Sequence, residues 1–124
     1  MADKILIVDD SVSMRQMESL ILKQAGYDVV EAADGEEGLS QLTADIRAVV
    51  TDYNMPNMTG VEFIKAIRAG SVNKSVPILM VTTESEQDKK QEGKAAGATG
   101  WLTKPFEQEQ LVKAIRKIAD SVQF

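Results

Sequence analysis

Lys4-Ile5-Leu6-Ile7-Val8-Asp9-Asp10-Ser11 is the stretch whose reading decides the fold. Four branched apolar residues in a row, Ile5 to Val8, are too few to cross a membrane and are rich in the side chains that favour strands. From Ser11 the spacing changes to a helical one, with Met14, Met17 and Ile21 on one stripe as far as Ala25 and Gly26 behind as a C-cap. A strand that runs through a pair of carboxylates into a helix is half of a βαβ unit.

The same alternation recurs along the chain. Strands are expected at Lys4 to Asp9, Asp28 to Ala32, Ala48 to Thr51, Ile78 to Thr82 and Gly100 to Leu102. The middle ones carry few polar residues, as expected where helices cover both faces of a parallel sheet. Asp34 and Gly35 make a turn before a second helix through Leu42. Val61, Ile64 and Ile67 stripe a third that ends near Gly70. The last helix turns Leu111, Ile115, Ile118 and Val122 inward, with Lys113, Arg116, Lys117 and Asp120 outward. A fourth helix, Glu86 to Ala96, has no large apolar residue, so its grip on the sheet is expected to be weak, in the low-stability range from which regulated surfaces are drawn. The plainer reading is a solvated helix held by Ala and Gly contacts. The fold expected is α/β, a doubly wound five-stranded parallel sheet in one domain spanning 1–124.

Composition narrows the chemistry. The chain has 124 residues, 44% of them apolar, which is enough for a core without a disulfide or metal staple. It contains neither Cys nor His, which excludes thiolate nucleophiles, Ser/His triads, imidazole bases and the usual zinc sites. With 14 Lys and Arg against 19 Asp and Glu the formal net charge is −5, and there is no basic tail, which argues against a nucleic-acid partner. With no long apolar stretch and no secretory leader pattern, the expectation is a cytoplasmic, monomeric protein that does not enter a membrane.

Ligands of open parallel sheets bind outside the carboxyl ends of the strands. Strand one ends in Asp9 and Asp10, strand three in Asp52, strand four in Thr82 and Thr83, and strand five is followed by Lys104 and Pro105. Singly, each has a plain explanation: Asp10 or Ser11 as an N-cap, Asp52 as a loop residue ahead of Asn54 and Pro56, Thr82 as a strand end or cap, Lys104 as a solvated lysine. Together, three acids on one rim repel unless a cation neutralises them. Mg²⁺ takes oxygen ligands and needs only one or two carboxylates. Asp10 and Asp52 suit that role, with Asp9 orienting a metal-bound water. A carboxylate beside such an ion can attack phosphorus in line if donors stabilise the equatorial oxygens. Asp52 is the nucleophile candidate, with Lys104 and Thr82 as donors.

The ordered set Asp9 and Asp10 after Ile5 to Val8, Asp52 before Met55, Pro56 and Gly60, then Thr82, then Lys104, Pro105 and Phe106 resembles the receiver domain of two-component response regulators over essentially the whole chain. Within that family it is most similar to the stand-alone chemotaxis receivers of the CheY type. The resemblance implies the flavodoxin-like strand order 2-1-3-4-5. It implies that Asp52 accepts a phosphoryl group from a phosphohistidine on a histidine kinase of the CheA type. Since this chain lacks His, that histidine is on another protein. Asp10, Asp52 and the main-chain carbonyl of Asn54 would hold Mg²⁺, Lys104 would pair with the phosphoryl oxygens, and Thr82 would swing inward to them, coupled to the aromatic at Trp101. Relatives mostly carry Tyr or Phe there, so Trp101 is bulkier than usual; its plain reading is a half-buried anchor. Asn54 and Glu84 occupy the positions that set phosphoryl lifetime and are residues that help place an attacking water, which implies fast self-dephosphorylation. Thr83 replaces the usual small residue and narrows access. Lys104 followed by Pro105 invites a cis peptide. The output implied is a surface, the face of helix four, strand five and helix five, which in relatives binds the flagellar motor switch protein; a phosphatase is a further implied partner.

Other readings stay open. Within the family they are a phosphorelay intermediate, a phosphate sink and a non-flagellar adaptor. A haloacid dehalogenase-like phosphatase would need a second Asp two residues after its nucleophile, where Ser11 and Val12 follow Asp10. A flavodoxin-type FMN carrier would place a phosphate where Asp9 and Asp10 repel it.

Overall fold

The structure, a computed structural model, describes residues 3–83 and 89–120. Among the described residues strands and helices alternate: β1 (Lys4–Val8), α1 (Val12–Gln24), β2 (Asp28–Ala32), α2 (Gly35–Gln41), β3 (Ile46–Asp52), α3 (Gly60–Ala69), β4 (Ile78–Thr83), α4 (Lys89–Ala96), β5 (Gly100–Lys104) and α5 (Gln108–Asp120). All strand pairs are parallel and the order across the sheet is β2-β1-β3-β4-β5. The chain winds one way from β1 to β2 and the other way from β3 on, so the switch in direction falls between β1 and β3.

Alternation along the strands divides the apolar residues between two layers. Leu6, Val8, Val49 and Met80 face α2, α3 and α4 around the fully buried Phe63. Ile5, Ile7, Val50 and Val81 face α1 and α5, where Ile21, Leu22, Leu111 and Ile115 close the second layer. The helix starts are encoded locally: Ser11, Asp34 and Thr59 cap α1, α2 and α3 by accepting an N–H of the first turn, and Glu62 completes a capping box with Thr59. Of the two candidates for the α1 cap, Ser11 holds it and Asp10 is left exposed. Gly26, at φ +101°, ends α1 in the left-handed region that glycine tolerates.

Several expectations are corrected. β3 begins two residues before Ala48 and includes Asp52, because Ile46 and Asp52 both pair with neighbouring strands. β5 runs on to Lys104, which pairs with Thr83. Of the expected inward stripe of α1, Ile21 is buried and Met14 half-buried, but Met17 is 41% exposed, and Glu18 and Ser19 are buried in its place. A helix turns 100° per residue, so the face holding Ile21 and Leu22 passes through 18, not 17. The fourth helix packs as its composition suggests, through Gly93 against Met80 and through Ala96. The expected start of that helix at Glu86, the lifetime residue Glu84, and Val122 lie outside the described residues.

Candidate functional site

Parallel pairing sets the heights at which the strands end. Val8 lies opposite Thr51, Asp52 opposite Val81, and Thr83 opposite Lys104, so the acids, hydroxyls and amine reach the same rim. Lys104 Nζ stands 3.2 Å from Asp52 Oδ1 and 4.0 Å from Asp9 Oδ2. One carboxylate oxygen from each of Asp9, Asp10 and Asp52 lies within 4.8 Å of the others. Asp52 Oδ1 also accepts the N–H of Tyr53 at 3.0 Å. Asp9 and Asp52 are buried, Asp10 exposed.

The electrostatics follow from that burial. Taking Asp52 out of water pushes its carboxyl up to about 6, with Asp9 adding to the rise and the Lys104 ammonium opposing it. Asp9 is raised for the same first reason, against the Ser11 N–H and Lys104, which favour its charged form. Burial alone would lower Lys104, but the Asp52 and Asp9 carboxylates outweigh it and hold the ammonium above its ordinary value. The nest is short of positive charge. Asp9 Oδ2 is buried with no hydrogen-bond partner among the described residues. An all-oxygen donor set with an unsatisfied buried carboxylate oxygen fits a hard divalent cation.

Thr82 is fully buried on β4, and its Oγ1 has no partner among the described residues. Trp101 lies on β5 opposite Met80, 38% exposed, with Lys90 Nζ of α4 5.8 Å from the ring centroid. Asn54 sits two residues past Asp52 in an exposed loop, and the Lys104–Pro105 peptide is cis.

Two further residues support the site from behind: Glu18, which sequence reasoning missed, and Gly60, which it named only as part of the family resemblance. Glu18 on α1 is 1% exposed, and Oε2 has no partner among the described residues. Burial, then Asp9, pushes its carboxyl up to about 8, against Lys104. Its signal was legible as the spacing Met14, Glu18, Leu22, at i, i+4 and i+8. Gly60 opens α3 against the backbone after Asp52 and donates its N–H to Tyr53 O at 2.7 Å. A Cβ there would overlap the Asp52 carbonyl oxygen and stand 2.9 Å from Tyr53 Cα, both main-chain atoms with no room to yield. Gly60→Ala is therefore expected to destabilise the fold by about 3 kcal/mol and to displace Asp52. Urea unfolding checks the first effect; an unchanged midpoint would mean that the close approach is not needed.

Comparison with known proteins gives the same pattern a wider frame. Residues 5–116 match the model of the response regulator receiver domain. The chain is 40% identical over 121 residues to the chemotaxis protein CheY of Pseudomonas aeruginosa, covering 96% of this chain and 98% of that protein. The solved chemotaxis response regulator CheY4 of Vibrio cholerae superposes with a TM-score of 0.88 at 53% identity, covering 95% of this chain and 99% of that one. The receiver domain of a sensor histidine kinase from Pseudomonas aeruginosa, 24% identical with a TM-score of 0.88 over 97% of this chain and 99% of that one, shares the fold and holds a magnesium ion in its own active-site cleft. A family match over nearly the whole folded region, on a sheet whose strand ends gather Asp9, Asp10, Asp52, Thr82 and Lys104, makes this chain a member of the response regulator receiver family.

Proposed function

We propose that this protein is a stand-alone chemotaxis-type response regulator, which takes a phosphoryl group onto Asp52 and signals through the face formed by α4, β5 and α5. The observation that carries the reading is Asp52 itself: a buried carboxylate 3.2 Å from Lys104, grouped with two further acids. Asp9 is more deeply buried and farther from Lys104, while Asp10 is exposed. Of the three, Asp52 combines contact with the ammonium and an opening to the rim.

The donor implied by the family resemblance is a phosphohistidine on a kinase of the CheA type, on another protein since this chain has no histidine. A free carboxylate oxygen of Asp52 attacks phosphorus, the P–N bond breaks, and the imidazole nitrogen leaves with the electron pair. The product is an acyl phosphate. Lys104, already against Asp52 Oδ1, pairs with the equatorial oxygens as charge builds on them. Asp10, Asp52 and the Asn54 carbonyl would hold Mg²⁺, with Asp9 acting through a bound water. When bound, the ion neutralises the carboxylates and the phosphoryl oxygens. Hydrolysis reverses the bond: water placed by Asn54 and Glu84 attacks phosphorus, the acyl P–O bond breaks, and Asp52 and inorganic phosphate are released.

The unpartnered Thr82 hydroxyl supports the switch. A phosphoryl oxygen offers it a charge-assisted bond of about 1.5–3 kcal/mol, which moves a two-state equilibrium by roughly one to two decades. Trp101 would follow Thr82, leaving its exposed place beside Lys90. The output face carries a cavity of about 390 Å³ lined by Trp101, Ala114, Lys117 and Ile118, with Lys113 and Arg116 exposed nearby. Basic residues on a chain of net charge −5 suit an acidic segment of the flagellar motor switch protein.

The test is incubation with a small phosphoryl donor, with and without Mg²⁺. The expected result is a mass gain of one phosphoryl group on the peptide containing Asp52, dependent on Mg²⁺, with a change in Trp101 fluorescence. A protein that gains no mass at saturating Mg²⁺, or gains it on another peptide, overturns the reading.

A further inference from the structure

Arg15 lies on α1, one turn beyond the Ser11 cap, and its guanidinium bridges two strand ends. Nη1 donates to the main-chain carbonyl of Asp9 at 2.6 Å, and Nε donates to Glu31 Oε1 on β2 at 3.2 Å. The rest of Asp9 is held as well. Its N–H donates to Ala32 O at 3.1 Å, and its Oδ1 accepts the Ser11 N–H at 2.9 Å. Three of its four polar groups are thus fixed from within the protein, and only Oδ2 is left facing Lys104.

The carbonyl that Arg15 grips belongs to the peptide unit joining Asp9 to Asp10. That unit is planar, so holding its oxygen also sets the direction of the Asp10 N–H and Cα. One guanidinium therefore fixes how the two acids are presented relative to each other. Glu31 holds the guanidinium through a different nitrogen, Nε, and with the Arg15 side chain mostly buried the pair acts on orientation more than on stability. We propose that Arg15 is a positioning residue for the divalent-cation site: it sets the affinity for Mg²⁺ by fixing the Asp9–Asp10 corner, with Glu31 aligning it. This deepens the proposed function and rests on that reading of Asp10 and Asp52 as metal ligands.

The sign of the effect separates this role from simple electrostatics. Arg15 is a positive charge close to the acids. If charge were its only contribution, removing it would tighten cation binding. If it positions the corner, removing it weakens binding, and partners behind metal ligands typically contribute tenfold to a hundredfold in affinity. Lysine at this position keeps the charge and loses the fork.

Isothermal titration of the full chain with MgCl₂ makes the comparison. The expected results are a Kd about tenfold higher for Arg15→Met and several-fold higher for Arg15→Lys, with Glu31→Gln about threefold weaker and urea midpoints close to the parent. Should Arg15→Met fail to fold, Arg15→Lys decides the matter, because it keeps the charge and loses only the fork. Variants that bind Mg²⁺ as tightly as the parent, or more tightly, overturn the positioning role while leaving the proposed function intact. A parent chain that does not bind Mg²⁺ overturns both.

Discussion

Glu18→Gln is expected to be more stable than the parent chain at pH 8, by about 1–3 kcal/mol in metal-free buffer, and to lose that advantage at pH 4. The carboxyl rises from its ordinary 4.5 to about 8 on folding, because burial disfavours its charged form. The folded state therefore holds a proton that the unfolded state releases. Stability contributed by this group is fully present below about 4.5, falls as pH rises through the window to about 8, and is gone above it. A shift of that size corresponds to roughly 5 kcal/mol at its upper bound. The amide removes the titration but leaves a buried polar group without partners, which takes back about 1–3 kcal/mol. Glu18→Leu removes the polar atoms as well and should gain more. Asp9 and Asp52 are raised too and make stability fall with pH in the same direction, so the informative quantity is the difference between variant and parent. Urea midpoints at pH 4, 6 and 8 measure it. Parallel pH profiles for the two chains would show that Glu18 is not buried as a proton-holding acid.

For phosphoryl transfer the largest effect belongs to Asp52→Asn. The amide matches the carboxylate in shape, so the sheet should keep its register, yet a neutral amide oxygen is a poor nucleophile. It also takes away the charge that holds Lys104 Nζ at 3.2 Å. Phosphorylation by a small donor should fall to background, at least about a thousandfold below the parent, as when the attacking group of a covalent mechanism is removed. Asp9→Asn separates chemistry from charge. It removes the second acid facing Lys104 but leaves the nucleophile, so the rate should drop and the label should stay on Asp52. Labelling of Asp52→Asn at a parental rate would move the acceptor elsewhere, and Asp9 would be the first alternative to examine.

Much of this protein is written locally. Ile5 to Val8, Val29 and Val30, and Ile78 to Val81 are short apolar runs, and Ser11, Asp34 and Thr59 are helix caps whose hydrogen bonds close within three residues. Such signals involve neighbours in sequence, which is why the order of elements and the position of every strand-end acid could be read in advance. Asp9, Asp10, Asp52, Thr82 and Lys104 were legible for the same reason: each stands where an apolar run stops.

What the chain alone did not reveal depends on distance in sequence. Glu18 stands on the stripe of Met14 and Leu22, but which stripe of α1 faces inward is decided only when the helix is laid on the sheet, which buries Glu18 and leaves Met17 at the surface. Arg15 acquires its meaning only when β2 brings Glu31 alongside β1, and Gly60 only when α3 docks against the backbone behind Asp52. Sequence determined which groups the sheet would offer at its rim, because period and caps are short-range properties. The tertiary structure decided which of them are buried, paired or left bare, because burial and charge are set by segments far apart along the chain.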